Sequence, residues 1–227
     1  SHIIANSSYI EDELIRAGMD QAQIRVLPYF AKSVAESECE SNSSLRVLFI
    51  GRLSKTKGLH ILLKAFQKVL KDVPRAKLDI LGSGIDEAGF QNLTHELGLG
   101  NSVIFHGWAD RARIQRGLKE CAVVAFPSIY PEAFGIVGIE AMMHARPVVA
   151  FDVGGVKDWL DDGVSGCLIP VKDEEGLAGS ITRLLKDGVE SKKMGKAARL
   201  QALREFSVER HMKELLSIYH DAVNSVC

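Results

Sequence analysis

The stretch Leu45-Arg46-Val47-Leu48-Phe49-Ile50-Gly51-Arg52-Leu53-Ser54-Lys55-Thr56-Lys57-Gly58, followed by Leu59, Leu62, Leu63, Phe66, Val69 and Leu70, decides the fold. A continuous apolar run of strand length reads as a strand buried on both faces, and the stripe at helical spacing after Gly58 reads as an amphipathic helix laid against it. Strand, glycine-bounded turn and helix open a βαβ unit, which requires a parallel neighbour. The alternation continues outward. Strands are expected at Leu45–Ile50, Lys77–Leu81, Val103–Phe105, Ala122–Phe126, Pro147–Phe151 and Cys167–Ile169. Leu177, Ile181, Leu184 and Leu185 mark another helix, and Met212, Leu215, Leu216, Tyr219 and Val223 mark the last, behind a Ser207 N-cap. The fold class is α/β with a parallel sheet.

On the amino-terminal side, Ile10, Leu14 and Ile15 recur at helical spacing between a Ser7 or Ser8 cap and a Gly18 stop. The run Ile24–Leu27 ends at Pro28, and residues 31–44, polar, serine-rich and acidic, read as a linker. Ser1-His2-Ile3-Ile4 reads as the middle of a strand, so the chain is expected to be a piece of a longer protein.

Composition bounds the function classes. The 227 residues are 46% hydrophobic and 25% charged, a profile with enough apolar side chains for a sizeable core. Lys plus Arg number 28 against 29 Asp plus Glu, so no global field draws in nucleic acid, and any anion site must be local. Cys39, Cys121, Cys167 and Cys227 lie far apart without a CxxC pair, which excludes a zinc knuckle or redox motif and fits a reducing, cytoplasmic compartment. No apolar run of about 18 residues and no basic-then-apolar leader is present. Peripheral contact with the inner face of a membrane is left open.

In open α/β sheets ligands bind beyond the carboxyl ends of strands, so the turns after each strand carry the functional reading. In the first, Gly51 and Gly58 bracket Arg52, Lys55 and Lys57 beside a helix start, a suitable place for a diphosphate, which Arg grips bidentately and Lys as a point charge. The P-loop spacing is absent, and Lys55 reads better as a solvated turn residue. Leu81-Gly82-Ser83-Gly84 would let backbone approach a ligand, although such a turn is as often plain strand-to-helix geometry. In Phe105-His106-Gly107-Trp108, His106 or Trp108 could meet a base or equally be packed rim residues, and packing is the better reading for His106.

The fourth turn, Pro127 to Ala141, carries most signal. Pro131 and Gly135 imply a turn followed by a helix start, aiming the N–H groups of Phe134, Gly135 and Ile136 at a second anion position. Glu140 lies among Ile136, Val137, Ile139, Ala141 and Met142, where a carboxylate is costly unless hydrogen-bonded; a vicinal diol such as a ribose is a suitable partner. Glu132 precedes the helix and could accept from sugar hydroxyls, or simply complement the helix dipole.

Glu132, seven residues and Glu140, together with Phe134-Gly135, Gly51-Arg52-Leu53 and Lys57-Gly58, resemble the group 1, or family 4, retaining glycosyltransferases. Arg146-Pro147-Val148-Val149-Ala150, Asp152-Val153-Gly154-Gly155 and Asp162-Gly163-Val164-Ser165-Gly166 are similar to the family's remaining landmarks, in order. The resemblance implies a Rossmann-like three-layer domain with a parallel sheet, the C-terminal half of a two-domain glycosyltransferase fold that binds a nucleoside-diphosphate sugar. It implies that residues 1–30 are the tail of an N-terminal acceptor domain, 31–44 the linker, 45–206 the donor domain and 207–227 a C-terminal helix. By the same resemblance Arg52, Lys57 and Glu132 form the catalytic set: the two cations hold the leaving diphosphate and Glu132 the donor sugar, with no nucleophile assigned. Glu140 takes the ribose hydroxyls, and Gly51, Gly82, Gly84, Trp108, Ala109, Phe134, Gly135 and Ile136 complete the donor site. No metal or other cofactor is implied, and no Asp-x-Asp cluster occurs. The expected partners are the nucleotide sugar and the preceding domain of the same protein, through which membrane contact would come.

Two departures stand out. Nothing matches the acceptor domain's glycine loop and histidine, and Tyr29-Phe30-Ala31 replaces the family's Asn-Gly and acid after Pro28. The rivals are a nucleotide-sugar epimerase or phosphorylase of the same shape, for which no cofactor lysine stands out, and a non-catalytic nucleotide-sugar-binding domain. A dehydrogenase would need a third glycine after Gly82-Ser83-Gly84 and an acid about 20 residues on.

Overall fold

The computed structural model of the protein describes residues 3–35 and 44–224. Two parallel sheets organise it. The smaller pairs β1 (Ile3–Ala5) with β2 (Ile24–Val26), connected through α1 (Ser8–Arg16). Ser7 is the cap of α1, its Oγ accepting from Ile10 N at 3.1 Å.

The larger sheet contains β3 (Arg46–Ile50), β4 (Lys77–Leu81), β5 (Val103–Phe105), β6 (Val123–Phe126), β7 (Val148–Phe151) and β8 (Gly166–Ile169) in the spatial order β5-β4-β3-β6-β7-β8, every pair parallel. The helices are α2 (Leu59–Asp72), α3 (Glu87–Glu96), α4 (Arg111–Glu120), α5 (Ile136–Met143), α6 (Glu174–Lys186), α7 (Gly188–Glu205) and α8 (Val208–Asn224). From β3 the chain winds outward through β4 and β5, then returns to β6 and winds the other way. Right-handed crossovers therefore put the two sets of connecting helices on opposite faces, which is the doubly wound, Rossmann-like arrangement. The order reverses between β3 and β6, whose carboxyl ends open the crevice that such sheets use for ligands.

The core is built by the apolar runs that marked the strands. Val47, Leu48, Phe49, Leu78, Ile80, Val123, Val124, Val148 and Val149 are buried in the sheet, with Leu62, Leu63, Phe66 and Val69 of α2 against it. Each such side chain contributes roughly 1.5–3 kcal/mol on burial.

Three helices that the sequence analysis did not mark bury few large apolar side chains. Helix α4, Arg-rich, buries only Leu118, and α3 only Phe90 and Thr94. Helix α7 buries Ser191, Met194, Gly195, Ala198, Gln201 and Ala202, a face made mostly of small side chains. A Cβ on Gly195 would meet Ala145 O at 2.1 Å, so α7 docks by close backbone approach instead of by large residues.

The described part of the linker, largely exposed at Lys32, Ser33 and Ala35, is tied down at Ala31 and Val34, and the chain just before it at Pro28. Ala31 is buried and its N–H donates to Phe206 O at 3.0 Å, Arg199 donates to Val34 O at 2.7 Å, and His211 Nδ1 donates to Pro28 O at 2.8 Å. Residues 36–43 of the expected linker, with Cys39, and Cys227 lie outside the described residues.

Candidate functional site

At the switch point a cavity of about 410 Å³ opens beyond β3 and β6. Gly51, Arg52 and Lys57 reach it from the turn after β3, Pro127 and Ser128 from the end of β6, and Glu132 to Val137 from the turn that opens α5. Left-handed backbone holds these turns together. Gly58 has φ 70°, and a Cβ there would lie 1.8 Å from Pro127 O, so only glycine lets the Lys57 turn sit against the end of β6.

The central contact joins two of these turns. Lys57 Nζ donates to Glu132 Oε1 at 2.5 Å, and the Glu132 side chain is only 14% exposed. The backbone of Glu132 is clamped as well: its carbonyl accepts from Gly155 N at 2.8 Å, and a Cβ on Gly154 would meet that carbonyl at 2.3 Å. The Asp152-Val153-Gly154-Gly155 motif thus holds the acid from behind. Arg52 lies alongside, exposed, with no ion-pair partner among the described residues.

Helix α5 starts at Gly135, φ 102°, with no side chain as its cap. Helices α1, α4, α6 and α7 are capped by Ser7, Asp110, Asp173 and Asp187. The α5 start therefore presents backbone N–H groups and the positive end of its dipole to the cavity. Phe134 supplies only backbone, its ring being buried and edge-on to Phe206.

Trp159, which the sequence reading did not single out, braces this turn. It is fully buried, its indole N–H donates to Phe134 O at 2.6 Å, and its ring meets Phe126 edge-on at 5.9 Å. Its partner in sequence is Gly138, where a Cβ would lie 2.2 Å from the indole.

A second groove runs on from Gly51 and Arg52 along Gly82, Ser83, Trp108, Ala109 and Ile114. Gly82 lines it, but its missing side chain answers to neighbouring backbone, since a Cβ would meet Gly51 O at 1.9 Å. Gly84 packs likewise under Leu53 O at 2.3 Å and lines neither cavity. Trp108 is 76% exposed beside the groove. His106, expected as packing, belongs to a polar cluster beneath it: Arg113 donates to Nδ1 at 2.9 Å, which leaves Nε2 to donate to buried Asp79 at 2.7 Å, and Arg46 pairs with the same carboxylate.

Glu140 does not line the central cavity. It faces a cleft of about 200 Å³ with Arg111, Lys32, Gln115 and His144, which shares Ile114 with the groove. Burial pushes its carboxyl up from the ordinary range, and Arg111 partly offsets this. Among the described residues no group of three His, Cys, Asp or Glu side chains is placed to hold a metal, and no helix is long and apolar enough to cross a membrane.

The order of these parts along the chain matches a known family. Residues 35–201 match the family described as glycosyl transferases group 1. The chain belongs to that family. Among relatives of this group 1 glycosyltransferase chain, an uncharacterized glycosyltransferase of Methanocaldococcus jannaschii is 32% identical over 177 residues, covering 78% of this chain and 45% of the relative. A D-inositol 3-phosphate glycosyltransferase of Segniliparus rotundus is 32% identical over 197 residues, covering 85% and 43%. The chain thus spans less than half the length of these curated relatives. Among solved structures, Anabaena Alr3699/HepE in complex with UDP and glucose superposes with TM-score 0.88 at 25% identity, over 97% of this chain and 63% of that one. Sucrose-phosphate synthase of Thermosynechococcus elongatus gives 0.84 at 28%, over 98% and 58%. The group 1 match embraces the Arg52, Lys57, Glu132 and Glu140 turns and the Trp159 brace alike.

Proposed function

We propose that this chain binds a nucleoside-diphosphate sugar and, with a preceding acceptor-binding domain, transfers the sugar with retention of anomeric configuration to a saccharide, lipid-linked saccharide or small glycoside. The observation that carries the reading is the Lys57–Glu132 pair at the switch point, with Arg52, which has no ion-pair partner among the described residues, and the glycine-started helix α5 facing the same cavity. Breaking a glycosyl–phosphate bond builds negative charge on the leaving diphosphate. Arg52, Lys57 and the α5 N–H groups are positioned to receive it, so the chemistry needs no metal of its own. Glu132 accepts from hydroxyls of the transferred sugar, held in place by Lys57 and by Gly155 N. The base lies along Trp108 and Ala109, and Glu140 turns to the ribose diol from across Ile114. That HepE, similar over 97% of this chain, was solved with UDP and glucose supports a nucleotide ligand for this fold. A cytoplasmic setting, where nucleotide sugars are made, agrees with the reading. The two-strand β1–β2 sheet, with Ile4 and Val26 exposed, is consistent with residues 3–26 completing the preceding domain, because a parallel pair that small does not stand alone.

Calorimetry of the chain with UDP, GDP and ADP, their sugar conjugates, UMP and GMP tests this, first with EDTA and then with magnesium. The expected result is binding of one nucleoside diphosphate without metal, stronger than its monophosphate and weakened by salt. Equal affinity for mono- and diphosphate, or binding only with magnesium, would overturn the diphosphate assignment.

A further inference from the structure

Two residues outside the motifs described above also line the central cavity. Asn6 directly follows β1 and Tyr29 comes three residues after β2, so the small sheet delivers both to the cavity that Arg52, Lys57 and Glu132 line. Tyr29 is held on one side by a ring contact. Its ring stands edge-on to Phe134, 5.8 Å between centroids and 86° between planes, and Phe134 is itself held through Trp159. The rest of the tyrosine stays open, at 42% exposure. Asn6, which with Tyr29 also borders an adjoining cleft, contributes a carboxamide oxygen that is buried without a hydrogen-bond partner among the described residues, a costly arrangement that a donor entering the cavity would relieve. An aromatic ring offers a flat apolar surface to the C–H face of a pyranose, and an amide oxygen accepts a proton from a donor such as a sugar hydroxyl.

We infer that Asn6 and Tyr29 form the sugar-reading end of this pocket, Tyr29 stacking on the hexose of the donor and Asn6 Oδ1 accepting one of its hydroxyl protons. This rests on the donor-site reading above. The pair then selects the sugar while Arg52 and Lys57 hold the diphosphate, so its contribution appears only when a sugar is attached. A site built to bond a hydroxyl rejects an analogue lacking it far more sharply than an apolar pocket rejects a change of size.

The test is calorimetry on the 227-residue chain, comparing a nucleoside diphosphate with its hexose conjugate for the UDP, GDP and ADP series. The quantity read is the ratio of the two dissociation constants. In Tyr29→Ala and Asn6→Leu the ratio is expected to fall at least tenfold, or to unity, while affinity for the free diphosphate stays within twofold, which also reports that the variant is folded. Tyr29→Phe should keep the stacking part. Single-deoxy hexose conjugates on the unaltered chain serve where a variant fails to fold: one deoxy position should abolish most of the sugar's contribution. A ratio unchanged in both variants, or no sugar contribution in the unaltered chain, overturns this inference and leaves the donor site standing. Failure of every nucleotide to bind overturns the donor reading and this inference with it.

Discussion

Trp159 reaches across 25 residues of sequence to bond the carbonyl of Phe134, at 2.6 Å, from a fully buried position. That carbonyl lies one residue before the glycine that starts α5, so the brace fixes the direction in which the helix terminus points.

Trp159→Phe should therefore cost about 1–3 kcal/mol through the orphaned carbonyl, and Trp159→Ala about 3–5 kcal/mol. Gly138→Ala is the sharper probe. Helix propensity alone predicts a gain of about 0.5–1 kcal/mol, whereas the 2.2 Å approach to the indole predicts an overpacking loss of about 1–3 kcal/mol. Urea unfolding reads the sign, and a stabilised Gly138→Ala would show that the contact yields.

The Lys57–Glu132 pair is only partly shielded, the lysine side chain being 33% exposed, so it adds little to folding: Lys57→Met should lower stability by no more than about 1 kcal/mol. Its effect on nucleoside diphosphate binding should be larger, roughly 1.5–3 kcal/mol, the scale of a hydrogen bond to a charge. Chemical melts and calorimetry on the same preparation separate the two. A large stability loss with unchanged affinity would make the pair structural.

Glu140 gives a pH signature. Burial raises its folded pKa above the unfolded value, so between those values the native state holds the extra proton and stability falls as pH rises. The contribution is present below the ordinary carboxylate range and lost as pH climbs through the raised value. Glu140→Gln removes the burden of a buried charge and should raise the neutral-pH melting temperature. It should also weaken nucleotide binding by roughly 1–3 kcal/mol if the carboxylate takes the ribose diol. Unchanged affinity would sink the ribose assignment.

Cys121 is buried, and burial pushes its thiol up to about 12; Cys167, also buried with Arg183 3.2 Å from its sulfur, is shifted the same way. Neither thiol should react with iodoacetamide at pH 8 in the native protein, since the thiolate is the nucleophile. Mass spectrometry after native alkylation checks this, and rapid labelling of Cys121 would mean the α4–β6 junction opens.

The sheet was legible because its strands are apolar on both faces: all six fall within one residue of their expected starts and end where expected. Helix α2 was equally plain. Helix α7 was not, since Gly195, Ala198 and Ala202 pack by closeness and leave no large apolar period. The glycine, lysine and paired-glutamate turns pointed to one end of the sheet, and Arg52, Lys57 and Glu132 do share a cavity there. What the turns could not disclose were contacts between distant segments. Trp159 under Phe134, Asp79 beside His106, and Asn6 with Tyr29 in the cavity lining each depend on chain crossings that no local spacing encodes. Arg146 is similar: its position in a family landmark says nothing of its burial, or of the carbonyls of Leu118 and Lys119 that it satisfies at the end of α4.

Because Gly135 stands where four other helices place Ser or Asp, α5 has given up a clasp that its own sequence could have supplied. A serine or aspartate in ordinary extended cap geometry would have steadied the helix by roughly a few tenths of a kcal/mol more than glycine does, but the left-handed backbone at Gly135, φ 102°, disfavours either one. With no side chain over the terminus, Ile136 and Val137 of the first turn line the cavity directly. An anion that settles on their N–H groups finishes the helix as it binds, so the ligand becomes a structural member of the fold. Occupancy and rigidity then rise together, and each tenfold excess over the dissociation constant adds about 1.4 kcal/mol to the stability of the whole domain.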